Sequence, residues 1–295
     1  MSQPHATPIT PYLGAEITGV DITQRLDDAT IAFLREQFDE TGLLLFRDVS
    51  IDRPTQVYVS EILNGHEPPT EQEAIEGAIR QGNFMITNED PDSAAPVGRL
   101  MYHCDSMWSD EPFEVLSLHA IKVEPPVLPT MFASAMSAWK ALPDELKERV
   151  QSLNALHVPG PDYVHERRRS LYPGELVQGR RARVPTYSQN LVWTHPRTGQ
   201  PILFITQGMT REILELNWDE SEDLLEELFS VLYAPERVYE HVWREGDVVF
   251  WDNLTIQHAR PYITLEGPAR TLQKVGLPAP RDPNAHLIDA YAKVG

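Results

Sequence analysis

Proline is scattered along most of this chain, and that constrains the fold more than any other feature. There are 25 prolines and 16 glycines in 295 residues. Proline removes a backbone donor and breaks helix interiors, so this density predicts many turns and long ordered loops rather than a helix bundle. The apolar runs between the breaks are short. Leu43-Leu44-Leu45-Phe46 is typical, and it is far too short to cross a bilayer. Hydrophobic residues still make up 41% of the chain, which excludes a chain disordered by composition. The length suits one large domain or two small ones. With no internal repeat and no linker, one domain over 1–295 is expected.

Taken in order, residues 1–12 carry three prolines and read as a loose arm. Leu13 to Asp21 alternates apolar and polar and reads as a strand. Asp27-Asp28 precedes Ile31, Leu34 and Phe38, an acidic helix start followed by helical spacing. Gly42 ends that helix, and Leu43 to Phe46 is a short buried strand. Residues 51–82 are helical in part, and Glu89 to Gly98 is loop. Strands are expected over Glu114–Val123 and Thr130–Ala135. A helix is expected over Met136–Val150 with Ser137 as cap. Residues 157–190 read as a long loop holding Arg167, Arg168, Arg169, Arg180, Arg181 and Arg183; such loops often serve as lids, or else are charge-paired surface. Two apolar runs around His195–Gln200 read as a hairpin. Ser221–Leu232 is an amphipathic helix, and Val248–Trp251 a buried strand leaving the turn Glu245-Gly246-Asp247. Short strands with helices early and between them indicate an α+β, β-rich fold.

The net charge of -19 argues against nucleic acid, whose binding requires a basic surface, and against anionic membranes. Cys104 is the one cysteine, so neither an internal disulfide nor a thiolate zinc site can be built. A reducing, cytoplasmic setting is expected. The start, Met1 to Pro8, lacks the basic and apolar regions of a signal peptide.

Chemistry concentrates at Tyr102-His103-Cys104-Asp105-Ser106. On an extended strand His103 and Asp105 share a face, with Cys104 turned away. One more histidine would complete two imidazoles and a carboxylate, which leave three positions of an octahedral Fe(II) open. His258, after the apolar strand, is the candidate. A buried histidine bonded to backbone is the plainer alternative. Twelve residues on, Arg270 could grip a carboxylate by two points or form a surface salt bridge.

The order His-x-Asp, then Trp251-Asp252-Asn253, then His258 and Arg270 resembles the TauD/TfdA family of Fe(II)- and 2-oxoglutarate-dependent dioxygenases. The opening Leu13-Gly-Ala-Glu-Ile-Thr-Gly-Val-Asp21, Leu26-Asp-Asp28 and Gly42-Leu-Leu-Leu-Phe-Arg47 is also similar to that family, and the likeness spans residues 13 to about 277. The resemblance implies a double-stranded β-helix, or jelly roll, with flanking helices. It implies Fe(II) held by His103, Asp105 and His258, with 2-oxoglutarate and O2 as cosubstrates and Arg270 on the distal carboxylate. It puts Thr130 beside Arg270, although the family's usual Gly-Gly-Asp before that threonine is Val127-Leu128-Pro129 here. Succinate and CO2 are the implied coproducts. The carboxylate of Asp105 leaves no place for a chloride ligand, which favours hydroxylation over halogenation. The family's members often form dimers or tetramers, so a homo-oligomer is implied.

The expected substrate is a small organic anion. Lys274, four residues past Arg270, faces the same way on a strand. Arg99, four residues before His103 and so on the same face of a regular strand, and the loop arginines are further candidate cations, and Met107, Trp108 and Phe113 could line an apolar pocket. Lys274 could equally pair with a surface acid. Two alternatives use the same residues: a zinc hydrolase in which His103, Asp105 and His258 activate water, and a non-catalytic jelly-roll binding protein.

Overall fold

The computed structural model describes residues 3–82, 84–160, 163–170 and 186–278. Two sheets form its centre. The larger has seven strands in the order β1 (His5–Pro8), β2 (Ala15–Thr18), β3 (Leu43–Phe46), β14 (Val248–Asp252), β6 (Val115–Val123), β16 (Arg270–Leu277) and β4 (Met85–Thr87). The smaller has four, in the order β13 (Tyr239–His241), β7 (Thr130–Ser134), β15 (Ile256–Ile263) and β5 (Gly98–His103). Pairing in both is antiparallel except between β2 and β3.

The period of two along each strand explains why β3 and β14 read as unbroken apolar runs. Leu44, Phe46, Val248 and Phe250 turn to one cluster, which includes Ile31, Leu34 and Phe38 of α1 (Asp28–Thr41) and Val59, Ile62 and Leu63 of α2 (Arg53–Leu63). Leu43, Leu45, Val249 and Trp251 turn to the opposite cluster, shared with Phe132 and Ile256 of the smaller sheet. Apolar cover on both faces removes the alternation a half-exposed strand would show. The two sheets therefore face each other across Phe132, Trp243, Trp251 and Leu272.

The helix ends follow local chemistry. Asp27 accepts from Thr30 N at 2.7 Å and opens α1. Gly42 closes it in the left-handed region at φ 73°, and an added Cβ there would lie 2.9 Å from Ile256. Asn217 and Glu220 form a capping box at the start of α7 (Trp218–Leu232), three residues before the expected start, and Leu224, Leu225, Leu228 and Leu232 are buried as expected. The expected hairpin is β10 (Val192–Thr194) against β11 (Pro201–Leu203).

Several expectations are corrected. Residues 5–8 of the supposed loose arm form β1, an edge strand where proline is tolerated. The expected strand at 13–21 narrows to Ala15–Thr18. The expected helix at 136–150 is two: α4 (Ala135–Ala141) and α5 (Asp144–Val150). Pro143 forces Leu142 into extended backbone, ψ 140°. The cap is Ser134, accepting from Ser137 N, rather than Ser137 itself. Arg180, Arg181 and Arg183 lie outside the described residues. The short helix α6 (Glu166–Arg169) carries the other three arginines.

Candidate active site

His258 is the third residue of β15, an inner strand of the smaller sheet, rather than the end of the strand before it. It pairs in register with His103 on one side and Phe132 on the other. His103 ends β5, and its Nδ1 donates to Met101 O at 2.8 Å. A carbonyl only accepts, so Nδ1 carries the proton and Nε2 keeps its lone pair. Asp105 lies just past the strand, in a turn where Ser106 has φ 59°. The strand geometry expected for the pair is thus replaced by a strand end plus a turn. Cys104 does turn away, into an apolar cluster with Met107 and Leu254.

Three side chains that are 155 residues apart at the extremes of sequence (103 to 258) meet here. His103 Nε2 lies 3.2 Å and His258 Nε2 3.8 Å from Asp105 Oδ1, and one ligand atom from each residue falls within 4.8 Å of the others. Adjacent donors at about 2.1 Å from an octahedral ion stand roughly 3 Å apart, so the set fits one first-row divalent metal. Burial holds the His258 imidazole well below its ordinary range, hence neutral. Burial pushes Asp105 up, but the Lys274 ammonium outweighs it and holds the carboxyl well below its usual range. Neutral imidazole and ionised carboxylate are the states that bind a metal.

A guanidinium is built in on β16. Arg270 is buried and makes no ion pair among the described residues. One NH2 donates to Thr130 Oγ1 at 2.9 Å, and Trp243 Nε1 donates to the same oxygen at 3.0 Å. Nε has no partner. Burial, with Arg260 nearby, lowers its pKa to about 9. A buried, unpaired guanidinium is costly unless an anion joins it, so this pocket fits a carboxylate. Arg270, Leu272 and Lys274 share the inner face of β16 by strand alternation.

Lys274 reaches the metal-type cluster, its Nζ on Asp105 Oδ2, with Phe84 and Phe113 rings 4.7 and 5.9 Å away. Arg99 does not: it is exposed. The pairing of β5 with β15 slips by one residue between Leu100 and His103. That bulge reverses the alternation on which the expectation for Arg99 rested. The described loop arginines are also committed elsewhere. Arg168 is buried against Glu222 at 2.9 Å, and Arg167 pairs with Asp223 and Glu226. Met107 and Trp108 are buried, Met107 with its sulfur 3.1 Å from Thr206 Oγ1.

The role of Asn253 is not visible in the Trp251-Asp252-Asn253 run itself. Its amide brackets the Asp105 peptide, accepting from Asp105 N at 3.0 Å and donating to Asp105 O at 3.0 Å. Asn88, which accepts from Arg270 N at 2.9 Å, and Phe84 were missed. Nothing in their neighbourhoods marks them, since both flank β4 and are placed by its pairing with the distant β16.

The family model for taurine catabolism dioxygenases, the TauD/TfdA family, matches residues 5–275. This chain belongs to the TauD/TfdA family. Among curated TauD/TfdA-like proteins, the (S)-phenoxypropionate/alpha-ketoglutarate dioxygenase of Sphingobium herbicidovorans is 30% identical over 255 residues, covering 85% of this chain and 87% of that one. Pentalenolactone F synthase of Streptomyces avermitilis is 26% identical, covering 84% and 85%. Among solved structures, AAD-2 in complex with Mn(II) and N-oxalylglycine superposes with a TM-score of 0.71 at 21% identity, covering 95% and 99%. As a TauD/TfdA member, the protein is an Fe(II)- and 2-oxoglutarate-dependent dioxygenase using O2. Family membership sets aside the zinc hydrolase and the non-catalytic binding protein.

Proposed function

We propose that this dioxygenase hydroxylates a small organic anion, releasing succinate and CO2, at iron held by His103, Asp105 and His258. The observation that carries the reading is the convergence of two imidazole nitrogens and one carboxylate oxygen within 4.8 Å. Bound iron and 2-oxoglutarate supply the oxidising chemistry; the protein's residues orient and shield. Arg270 takes the far carboxylate of 2-oxoglutarate. Thr130 already accepts from Arg270 and Trp243, so its own O–H is free to donate to that carboxylate. Fixing the far end of the diacid sets the orientation of its keto-acid end.

Lys274 is the cation for the substrate anion in this reading. Two of its three N–H donors have no acceptor among the described residues, and Phe84 and Phe113 beside it offer apolar contact for a hydrocarbon or aryl part. The aryloxy acid in the name of the Sphingobium relative supports an aryloxyalkanoate as substrate class. We read the two facing sheets as a double-stranded β-helix in a single domain. No described helix is long and apolar enough to cross a membrane; the buried lone thiol of Cys104 suits a cytoplasmic setting.

A panel of aryloxyalkanoates, alkyl sulfates and sulfonates tests this by succinate release with Fe(II), 2-oxoglutarate and O2. Substrate-dependent succinate from an aryloxyalkanoate is expected. Succinate release unchanged by every anion in the panel would reject the substrate class. Release undiminished in H258A would reject the iron ligands.

A further inference from the structure

The two oxygens of the Asp105 carboxylate face different partners. Its Oδ1 faces His103 Nε2 at 3.2 Å and His258 Nε2 at 3.8 Å. Its Oδ2 holds the ammonium of Lys274. Asp105 is the only carboxylate paired with Lys274 among the described residues. The lysine is 8% exposed, and the Phe84 ring lies 4.7 Å from Nζ. Water therefore does little to screen it.

A divalent ion held at the Oδ1 side would share the one negative charge of Asp105 with the ammonium on Oδ2, at close range. Like charges that close repel by several kcal/mol even at an effective dielectric of about 20. We propose that Lys274 couples the metal to an anion: its ammonium competes with the divalent metal for Asp105, and an anion that draws the ammonium off strengthens metal binding. This rests on the metal site read above.

The coupling is reciprocal by linkage. Metal on Oδ1 weakens the hold of Asp105 on Lys274 and so readies the ammonium for an anion. An anion on the ammonium in turn restores the full charge of Asp105 to the metal. The two N–H donors of Lys274 without an acceptor among the described residues give such an anion a place to bind. Phe84 and Phe113 keep the stem and head in place while the partner changes.

The sign of the effect separates this role from a structural one. A lysine that merely held Asp105 in position would, when removed, weaken metal binding. A competitor, when removed, strengthens it. The test is titration of the full-length protein with Mn(II), without 2-oxoglutarate, following free Mn(II) by electron paramagnetic resonance at constant ionic strength. Lys274→Met keeps the stem and should tighten Mn(II) binding by about tenfold or more. Lys274→Gln is the second variant if the first folds poorly, with the same direction expected. Adding phenoxyacetate should tighten Mn(II) binding to the wild-type protein and have no such effect on either variant. Affinity equal to or weaker than wild type in both variants would overturn the proposal, as would phenoxyacetate tightening of equal size in wild type and K274M. If instead wild type and H258A bind Mn(II) alike, the metal site itself is wrong and the failure is of the earlier reading.

Discussion

Asn253 grips Asp105 by both sides of its peptide, accepting from the N–H and donating to the C=O, each at 3.0 Å. Its amide also donates to Phe113 O at 2.8 Å. Asp252, one residue earlier, caps the turn by accepting from Leu254 N and Thr255 N at 3.1 and 3.2 Å, and pairs with His195 at 3.0 Å. The Trp-Asp-Asn run is thus the joint between β14 and β15, and it fixes the turn that presents Asp105 to His258.

Replacing Asn253 by Ala removes three hydrogen bonds and leaves Asp105's peptide unrestrained. Supporting residues behind metal ligands typically change metal affinity by about 10–100-fold when mutated. N253A is expected to weaken Mn(II) binding within that range and to lower kcat/KM, with thermal unfolding lowered as well. Calorimetric titration with Mn(II) checks the first. Unchanged Mn(II) affinity would show that Asp105 holds its place without Asn253.

Arg270 and Thr130 make separable predictions. Arg270→Lys keeps a charge but loses the planar fork, and should raise the KM for 2-oxoglutarate by roughly tenfold to a hundredfold, the value of about 1.5–3 kcal/mol for a hydrogen bond to a charged group. Thr130→Val deprives Arg270 and Trp243 of their shared acceptor. It should cost stability of about 1–3 kcal/mol as well as affinity. Steady-state kinetics with varied 2-oxoglutarate, beside urea unfolding, distinguishes the two.

The metal-type triad was legible because its signal is chemical: donor types in a fixed order survive without knowledge of the fold. What the backbone does between the donors was not legible. His103 and Asp105 were expected on one strand; a turn at Ser106 does the work instead. Arg99 was expected inward by counting in twos, but the bulge between Leu100 and His103 shifts the count by one. A bulge is set by pairing with β15, a strand more than 150 residues away, so local pattern cannot report it. The break between α4 and α5 had a local cause in Pro143, which outweighs helical spacing at Trp139, Leu142, Leu146 and Val150. The loop arginines read as solvent or substrate contacts because α7, which supplies their acids, lies some 50 residues onward.

Acid should weaken the fold well above the carboxylate range. His157 is buried, with Thr210 Oγ1 3.3 Å from Nδ1 and, among the described residues, no partner for Nε2. Burial lowers its pKa to about 3, against roughly 6.5 in an unfolded chain. Between those values the unfolded chain binds the extra proton, so stability rises with pH through the window and levels off above about 6.5. The slope from this one residue is about 1.4 kcal/mol per pH unit. Urea unfolding at pH 7, 6 and 5 should show that loss in wild type and a shallower one in His157→Phe, whose ring can keep the edge-on contact with Phe204. Equal slopes in both proteins would show that His157 is not held neutral.

The buried pair of Arg168 and Glu222 gives the sharpest stability test. Arg168 Nε lies 2.9 Å from Glu222, its NH2 donates to Arg211 O at 3.0 Å, and its NH1 donates to Thr210 O at 2.5 Å. Both side chains are almost wholly buried, 3% and 1% exposed. Truncating one member strands the other's charge, which costs about 3–5 kcal/mol, whereas replacing both with apolar groups of similar volume is often neutral. Arg168 also satisfies three backbone carbonyls, those of Gln207, Thr210 and Arg211. The double replacement R168M/E222L therefore removes the stranded charge but still leaves carbonyls unpaired. The expected order is R168M least stable, then the double variant, then wild type, with the double recovering part of the loss by urea denaturation. If R168M and the double variant unfold together, the carbonyl contacts rather than the ion pair dominate, and α6 is fastened to the β12 (Thr210–Ile213) segment chiefly by neutral acceptors.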